Sequence, residues 1–300
     1  MKLLITGAWN YSDKDIQSLE SIGYNCIFHK NENVPLPVDC LDVDGIVCNG
    51  LFIYSDANLF RNLKFVQLTS AGMDRIPLEY LKEKGIKIFN ASGVYSIPIA
   101  EFVVSSILDL YKQKFIFYEN QKKHIWEKQR SLLELNGKMV CIVGCGNVGK
   151  ECAKRFKAFG CSVFGIDLFS FKNNYFNYIV SIDEMMSHIN KADIVVLTLP
   201  LTDETKHLFN ISIFRQMKNT SLLVNVSRGG VVDTHDLELA LKEGLIKAAV
   251  LDVFESEPLD FQSHLWDIKN LFISPHNSFI SENNDDRLSQ LIIANLKEII

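Results

Sequence analysis

The chain has 300 residues, 47% hydrophobic and 22% charged, with a formal net charge of −5. Those figures describe an ordinary globular chain of about two domains and argue against a basic nucleic-acid surface. The longest basic block, Lys122-Lys123-His124, reads as a solvated helix face, and no apolar stretch approaches the ~18 residues of a membrane helix.

In chain order, short apolar runs alternate with polar, helix-like segments. Leu3–Thr6, Asn25–Phe28, Gly45–Cys48, Phe65–Leu68 and Ile86–Phe89 read as strands. Between them, Ser12–Ile22, Asp56–Arg61 and Pro77–Lys84 read as helices or turns. Such alternation predicts a parallel sheet covered on both faces. Ser96 then caps a long helix, with Pro98 in its first turn and Glu101 complementing the positive dipole end. This expectation divides the chain into residues 1–96 with 279–300, and residues 97–278. Later strands are expected at Asp193–Leu199, Ser221–Val226, Ala248–Asp252 and Leu271–Ser274, and an amphipathic helix at Arg287–Ile300.

The most informative stretch is Lys138–Gly149. Val140–Val143 fits a buried strand, Gly144-Cys145-Gly146-Asn147-Val148-Gly149 a glycine-rich turn, and the residues to Phe159 a helix stopped by Gly160. A second apolar run, Cys161–Ile166, ends in Asp167. Gly144 permits the tight turn, Gly146 lets backbone approach a pyrophosphate, and Gly149 lets the helix pack closely. The helix start offers free N–H groups to phosphate. Asp167 would accept hydrogen bonds from ribose hydroxyls and repel a 2′-phosphate, and Leu168-Phe169-Ser170-Phe171 after it offer no arginine to receive one. The expected cofactor is NAD rather than NADP.

Three later strand ends carry polar chemistry: Ser227-Arg228-Gly229-Gly230, Asp252 through Glu257-Pro258, and Ser274-Pro275-His276. Ligands in open α/β sheets bind beyond the carboxyl ends of strands. An arginine, an acid and a histidine on one rim beside a nucleotide site suit an oxidoreductase.

These segments resemble the D-isomer-specific 2-hydroxyacid dehydrogenases. The similarity runs over nearly the whole chain and is dense in Glu134–Gly144, Ala192–Thr205, Val224–Gly230, Leu251–Pro258 and Ser274–His276. It implies an α/β protein of two doubly wound parallel-sheet domains, a Rossmann NAD-binding domain and a flavodoxin-like substrate domain. It also implies hydride transfer between nicotinamide and a 2-oxo or 2-hydroxy acid. In that reaction Arg228 grips the substrate carboxylate and carbonyl, and His276 moves the proton on the carbonyl oxygen. Glu257 would favour the charged imidazole and fix its tautomer. Backbone N–H groups of Ser70, Ala71 and Gly72 would hold the other side of the carboxylate. By the same resemblance Gly144, Gly146, Asn147, Val148, Gly149, Asp167, Leu199, Pro200, Thr205 and Val226 line the cofactor, and Asp252 contacts the nicotinamide carboxamide. Thr198 departs from the family, where histidine is common, and an altered cofactor-side packing is expected.

Two other readings use the same scaffold: a non-catalytic NAD-sensing regulator, and a formate or phosphite dehydrogenase. The complete Arg228, Glu257, His276 set argues against the first. A histidine tuned by an acid argues against the second, whose substrates have no ketone to protonate.

The seven cysteines mostly sit inside apolar runs, and Met1–Gly7 is too short for a signal peptide, so a cytoplasmic chain with no membrane partner is expected. No C-x-x-C and no histidines at ligand spacing occur, so no metal is expected. Family members pair through their cofactor domains, which makes Tyr118–Leu133 a candidate homodimer arm, or equally an intradomain helix or loop. Finally, the loop Asn49–Tyr54 offers Leu51, Phe52 and Tyr54 without a lysine or arginine before Arg61. An apolar wall there favours an unphosphorylated 2-oxo acid with a branched or aromatic tail.

Overall fold

The computed structural model describes residues 1–300. The chain divides into two compact units, Met1–Tyr95 with Ser281–Ile300, and Ser96–Ile280.

The first unit holds five parallel strands: β1 (Lys2–Thr6), β2 (Asn25–His29), β3 (Gly45–Cys48), β4 (Phe65–Leu68) and β5 (Lys87–Phe89). Their order is β2-β1-β3-β4-β5. Every residue of β3 and β4 is buried, because helices cover both faces of a parallel sheet. The period of two divides them between two cores. Ile46, Cys48, Val66 and Leu68 face one with Leu81, while Val47 and Phe65 face the other. Gly45 is required by close packing: a Cβ there would fall 2.0 Å from Phe65 Cζ.

The second core is closed by the C-terminal helix, Asn284–Lys297. Its Leu288, Ile292 and Leu296 recur every fourth residue and are buried, each such side chain contributing roughly 1.5–3 kcal/mol. Two hydrogen bonds fix its register: Trp9 Nε1 donates to Ser289 Oγ at 3.0 Å, and Tyr24 Oη to the Leu296 carbonyl at 2.9 Å.

Two expectations need correcting here. Asn49–Tyr54 is not a loop, because Leu51–Tyr54 forms a helical turn. Leu51 is fully buried and Phe52 packs on the same core, edge-on to Phe60 at 6.0 Å, leaving Ile53 and Tyr54 exposed. The expected apolar wall is therefore mostly core. Arg75, on the segment after β4, also reaches this rim, its Nη1 lying 3.4 Å from Asn49 Oδ1. Secondly, Ser96 is the first helical residue of Ser96–Tyr111 rather than its cap.

The second unit is a seven-stranded, all-parallel sheet. Its strands are β6 (Met139–Val143), β7 (Ser162–Asp167), β8 (Tyr178–Ser181), β9 (Ile194–Leu197), β10 (Leu222–Asn225), β11 (Ala248–Leu251) and β12 (Leu271–Ile273). They run in the order β12-β11-β10-β9-β6-β7-β8, so the direction of winding reverses between β6 and β9. That reversal leaves a crevice where ligands of open α/β sheets bind. Ser96–Tyr111 and a helix over Asn147–Ala158 cover one face through Val103, Ile107, Ala153 and Phe156. Phe209, Phe214, Leu237 and Leu241 cover the other. The edge strand β8 is not legible in the sequence, since Tyr178–Ser181 is short and follows the polar run Lys172-Asn173-Asn174. The protein has no helix long and apolar enough to cross a membrane.

Candidate active site

At the β6–β9 crevice, Gly144 has φ +95°, and a Cβ on it would lie 2.6 Å from the Leu199 backbone nitrogen. Gly149 is equally constrained, since its Cβ would meet the Gly144 carbonyl oxygen at 2.2 Å. Gly146 differs, because a Cβ there would meet nothing within 4 Å. Two of the three glycines thus serve the turn and the helix packing. The third leaves backbone open at the start of the Asn147–Ala158 helix, as a bound pyrophosphate requires.

Asp167 closes β7 beside this turn. Its Oδ2 accepts from Cys145 N at 2.6 Å and its Oδ1 from Leu168 N at 2.8 Å. Cys145 points inward against Gly165, whose Cβ would fall 2.2 Å from Cys145 Sγ, and burial pushes its thiol up. Thr198, the departure from the family pattern, ties β9 to the glycine-rich turn, because its Oγ1 donates to the Gly144 carbonyl at 2.6 Å. Leu199 and Val226 are buried, Pro200 is exposed, and Val148 is partly buried. Thr205 closes the turn after β9, donating through Oγ1 to the Pro200 carbonyl at 2.7 Å and accepting from Thr202 N at 2.7 Å.

The neighbouring strands β10, β11 and β12 end on one rim, successive strands being about 4.8 Å apart. Arg228 leaves β10, held by its Nη1 donating to the Ser227 carbonyl at 2.8 Å and by Asn225 Nδ2 donating to the Arg228 carbonyl at 3.0 Å. Gly229 lets this segment pass against the next loop, because a Cβ would lie 1.8 Å from the Phe254 carbonyl carbon. On that loop Glu257 is anchored by Phe254 N, which donates to Oε1 at 2.9 Å, and it precedes a cis peptide bond to Pro258. Its Oε2 lies 2.7 Å from His276 Nδ1.

His276 sits in the left-handed region, at φ +50°. Asp252 holds it there. The Asp252 carbonyl accepts from His276 N at 2.8 Å, and its fully buried carboxylate accepts from Ser274 Oγ, from Asn277 N at 2.8 Å and from Ser278 N. Sequence reasoning misses this anchoring of the histidine loop, because its donors lie more than twenty residues away along the chain. It misses a second tie as well. His207 Nε2 lies 2.9 Å from Glu255 Oε2, and His207 N donates to the Gly230 carbonyl at 2.8 Å. Burial alone would raise the Glu255 carboxyl, but bonds from Thr234 and His207 hold it below the usual carboxylate range.

The structure thus brings Glu257, His276 and Asp252 together, with Arg228 at the end of the adjoining β10 on the same rim. Ser70, Ala71 and Gly72 belong to the other unit, on the loop after β4. Ser70 Oγ donates to the Gly72 carbonyl at 2.9 Å, and the Ala71 carbonyl accepts from Asn90 Nδ2 at 2.8 Å.

The chain is similar to known proteins over most of its length. Residues 104–278 match the profile of the D-isomer specific 2-hydroxyacid dehydrogenase family, NAD binding domain. A glyoxylate reductase of Thermofilum pendens is 33% identical over 246 residues, covering 80% of this chain and 72% of that protein. A D-3-phosphoglycerate dehydrogenase of Methanocaldococcus jannaschii is 32% identical over 240 residues, covering 79% of this chain. The match spans about half (46%) of that longer relative. Among solved structures, a D-isomer specific 2-hydroxyacid dehydrogenase family protein from Aeromonas salmonicida superposes with a TM-score of 0.83. It is 27% identical, and the match covers 98% of this chain and 94% of that one. The matching profile spans more than half of the sequence, and the chain belongs to the D-isomer specific 2-hydroxyacid dehydrogenase family.

Proposed function

We propose that this chain interconverts a 2-oxo acid and a D-2-hydroxy acid with NAD(H), using Arg228 to bind substrate and His276 as acid and base. The observation that carries the reading is the 2.7 Å pair of His276 Nδ1 and Glu257 Oε2, on the same rim as Arg228 and in the same sheet as the glycine-rich turn. Residues 97–278 serve as the NAD-binding domain, and residues 1–96 with 279–300 as the substrate domain.

NADH, when bound, supplies the hydride that reaches the substrate's C2. Gly144, Gly146, Asn147, Val148 and Gly149 hold the pyrophosphate, and Asp167 receives the adenosine ribose. Leu199, Pro200, Thr205 and Val226 line the cofactor's remaining length. Arg228 offers a planar pair of donors to the carboxylate and the adjoining carbonyl, while backbone N–H groups of the Ser70-Ala71-Gly72 loop take the other carboxylate oxygen. His276 gives a proton from Nε2 to the carbonyl oxygen during reduction and recovers it during oxidation. Glu257 fixes the Nδ1–H tautomer and stabilises the imidazolium. Asp252 keeps the histidine loop in place. By family resemblance it also contacts the nicotinamide carboxamide.

The protein acts as a homodimer. Phe115, Ile116, Phe117 and Tyr118 on a helix over Lys114–Lys122, with Ile125 and Trp126 beyond it, are exposed apolar residues of the kind a second copy covers. All seven cysteines are free thiols, which suits the cytoplasm. NADH consumption by the purified chain with a panel of 2-oxo acids, beside NAD reduction with formate, tests the reaction assigned.

A further inference from the structure

The first unit has its own reversal of strand order, between β1 and β3. In a five-stranded sheet wound this way, that crevice is where an anionic ligand meets backbone N–H groups. Here a side chain of the protein takes those donors. Glu32 Oε1 accepts from Thr6 Oγ1 at 2.7 Å and from Asn49 N at 2.8 Å, and Oε2 accepts from Gly50 N at 2.7 Å. Thr6 ends β1, and Asn49 and Gly50 follow β3, so one carboxylate bridges both sides of the crevice.

The loop Ser70–Gly72 leaves the next strand on the same rim. β4 pairs with β3 through Cys48 and Leu68, and Thr69 N donates to the Cys48 carbonyl at 2.9 Å. Glu32 therefore stands on the same rim, across the ends of β1 and β3, while the loop assigned above to the substrate's carboxylate leaves the adjoining β4.

We propose that Glu32 sets the substrate class, admitting 2-oxo acids with uncharged tails and rejecting those whose tail carries a carboxylate or phosphate. The proposal rests on the 2-oxo acid reaction assigned above. An anionic tail laid along this rim finds the two N–H groups and the hydroxyl already taken. It also meets a like charge in a partly buried position, where repulsion is weakly screened. Displacing Glu32 would strip a carboxylate of three donors, which is costly. Arg75 does not reverse the balance, because it is exposed and its attraction is screened by solvent. The apolar side chains left exposed beside the crevice, Ile53 and Tyr54, suit a neutral tail.

The test compares kcat/KM for matched pairs on the full chain: 2-oxovalerate against 2-oxoglutarate, and hydroxypyruvate against phosphohydroxypyruvate. The parent should favour the neutral member of each pair by about tenfold or more, the effect of one close like charge. Glu32→Gln should narrow that gap by about the same factor, chiefly by improving the anionic members. If the variant fails to fold, the parent's preference for the neutral member of each pair decides the matter alone. A parent that uses anionic tails as well as neutral ones would overturn the proposal, as would an unchanged ratio in a folded Glu32→Gln. A parent inactive on every 2-oxo acid would overturn the assigned reaction, and this inference with it.

Discussion

His276 Nδ1 lies 2.7 Å from Glu257 Oε2, and the other oxygen of the same carboxylate is fixed by Phe254 N at 2.9 Å. The acid is thereby aimed at the ring, leaving Nε2 for substrate. Replacing Glu257 by Ala removes the acceptor that orients the ring. Turnover should then fall by ~10-fold or more, with little change in NADH binding. Near-parent turnover would remove Glu257 from this role.

The three glycines of the nucleotide turn should separate in their effects. Gly149→Ala forces a Cβ to within 2.2 Å of the Gly144 carbonyl oxygen and should destabilise the fold by several kcal/mol. Gly146→Ala meets nothing within 4 Å and should leave the melting temperature close to the parent's, yet weaken NADH markedly where backbone must approach phosphate. Thermal melts and NADH titrations of both variants check this. Unweakened NADH binding by Gly146→Ala would contradict the pyrophosphate assignment.

Cofactor choice should follow Asp167. Its carboxylate already accepts Cys145 N and Leu168 N, which holds it at the end of β7 beside the turn. The parent should prefer NADH to NADPH by a large margin in kcat/KM, and Asp167→Ala should narrow the margin mainly by improving NADPH. Equal use of the two cofactors by the parent would show that the acid does not read the ribose.

Acid stability should depend on Asp193. Burial alone would raise its carboxyl, but the Lys218 ammonium at 2.8 Å and the Met139 N–H at 2.9 Å hold it below the usual range. A lowered folded value means the stabilisation is fully present above the unfolded carboxyl's pKa, near about 4. It is lost as pH falls through the folded value. Urea midpoints should therefore drop between neutral and strongly acid pH by less in Asp193→Asn than in the parent. An equal drop would place the acid sensitivity elsewhere.

Much of this architecture is readable locally, because a strand buried on both faces is a predominantly apolar run. Gly45–Cys48 and Phe65–Leu68 are legible to the residue for that reason. The edge strand Tyr178–Ser181 and the turn Leu51–Tyr54 are not. The first is only four residues long and set among asparagines, and the second is too short to show helical periodicity. Of the site, the residues at strand ends are legible because chemistry and glycine spacing mark them. Their supports are not. Thr198 on the Gly144 carbonyl, Asp252 under the histidine loop, and Glu32 across the ends of β1 and β3 are bonds between segments distant in sequence. Asp252 and Thr198 are marked by their place in motifs, but the bonds they and Glu32 make are not, because only the fold brings their partners to them.

The most direct test of the central claim is NADH oxidation by the purified chain with an uncharged-tail 2-oxo acid, run beside Arg228→Ala and His276→Ala with NADH binding measured in parallel. The assigned chemistry predicts turnover by the parent to the D-2-hydroxy acid. It also predicts a loss of ~10²-fold or more in each variant, with NADH still bound. No turnover by the parent on any 2-oxo acid, or near-parent rates in either variant, would contradict it.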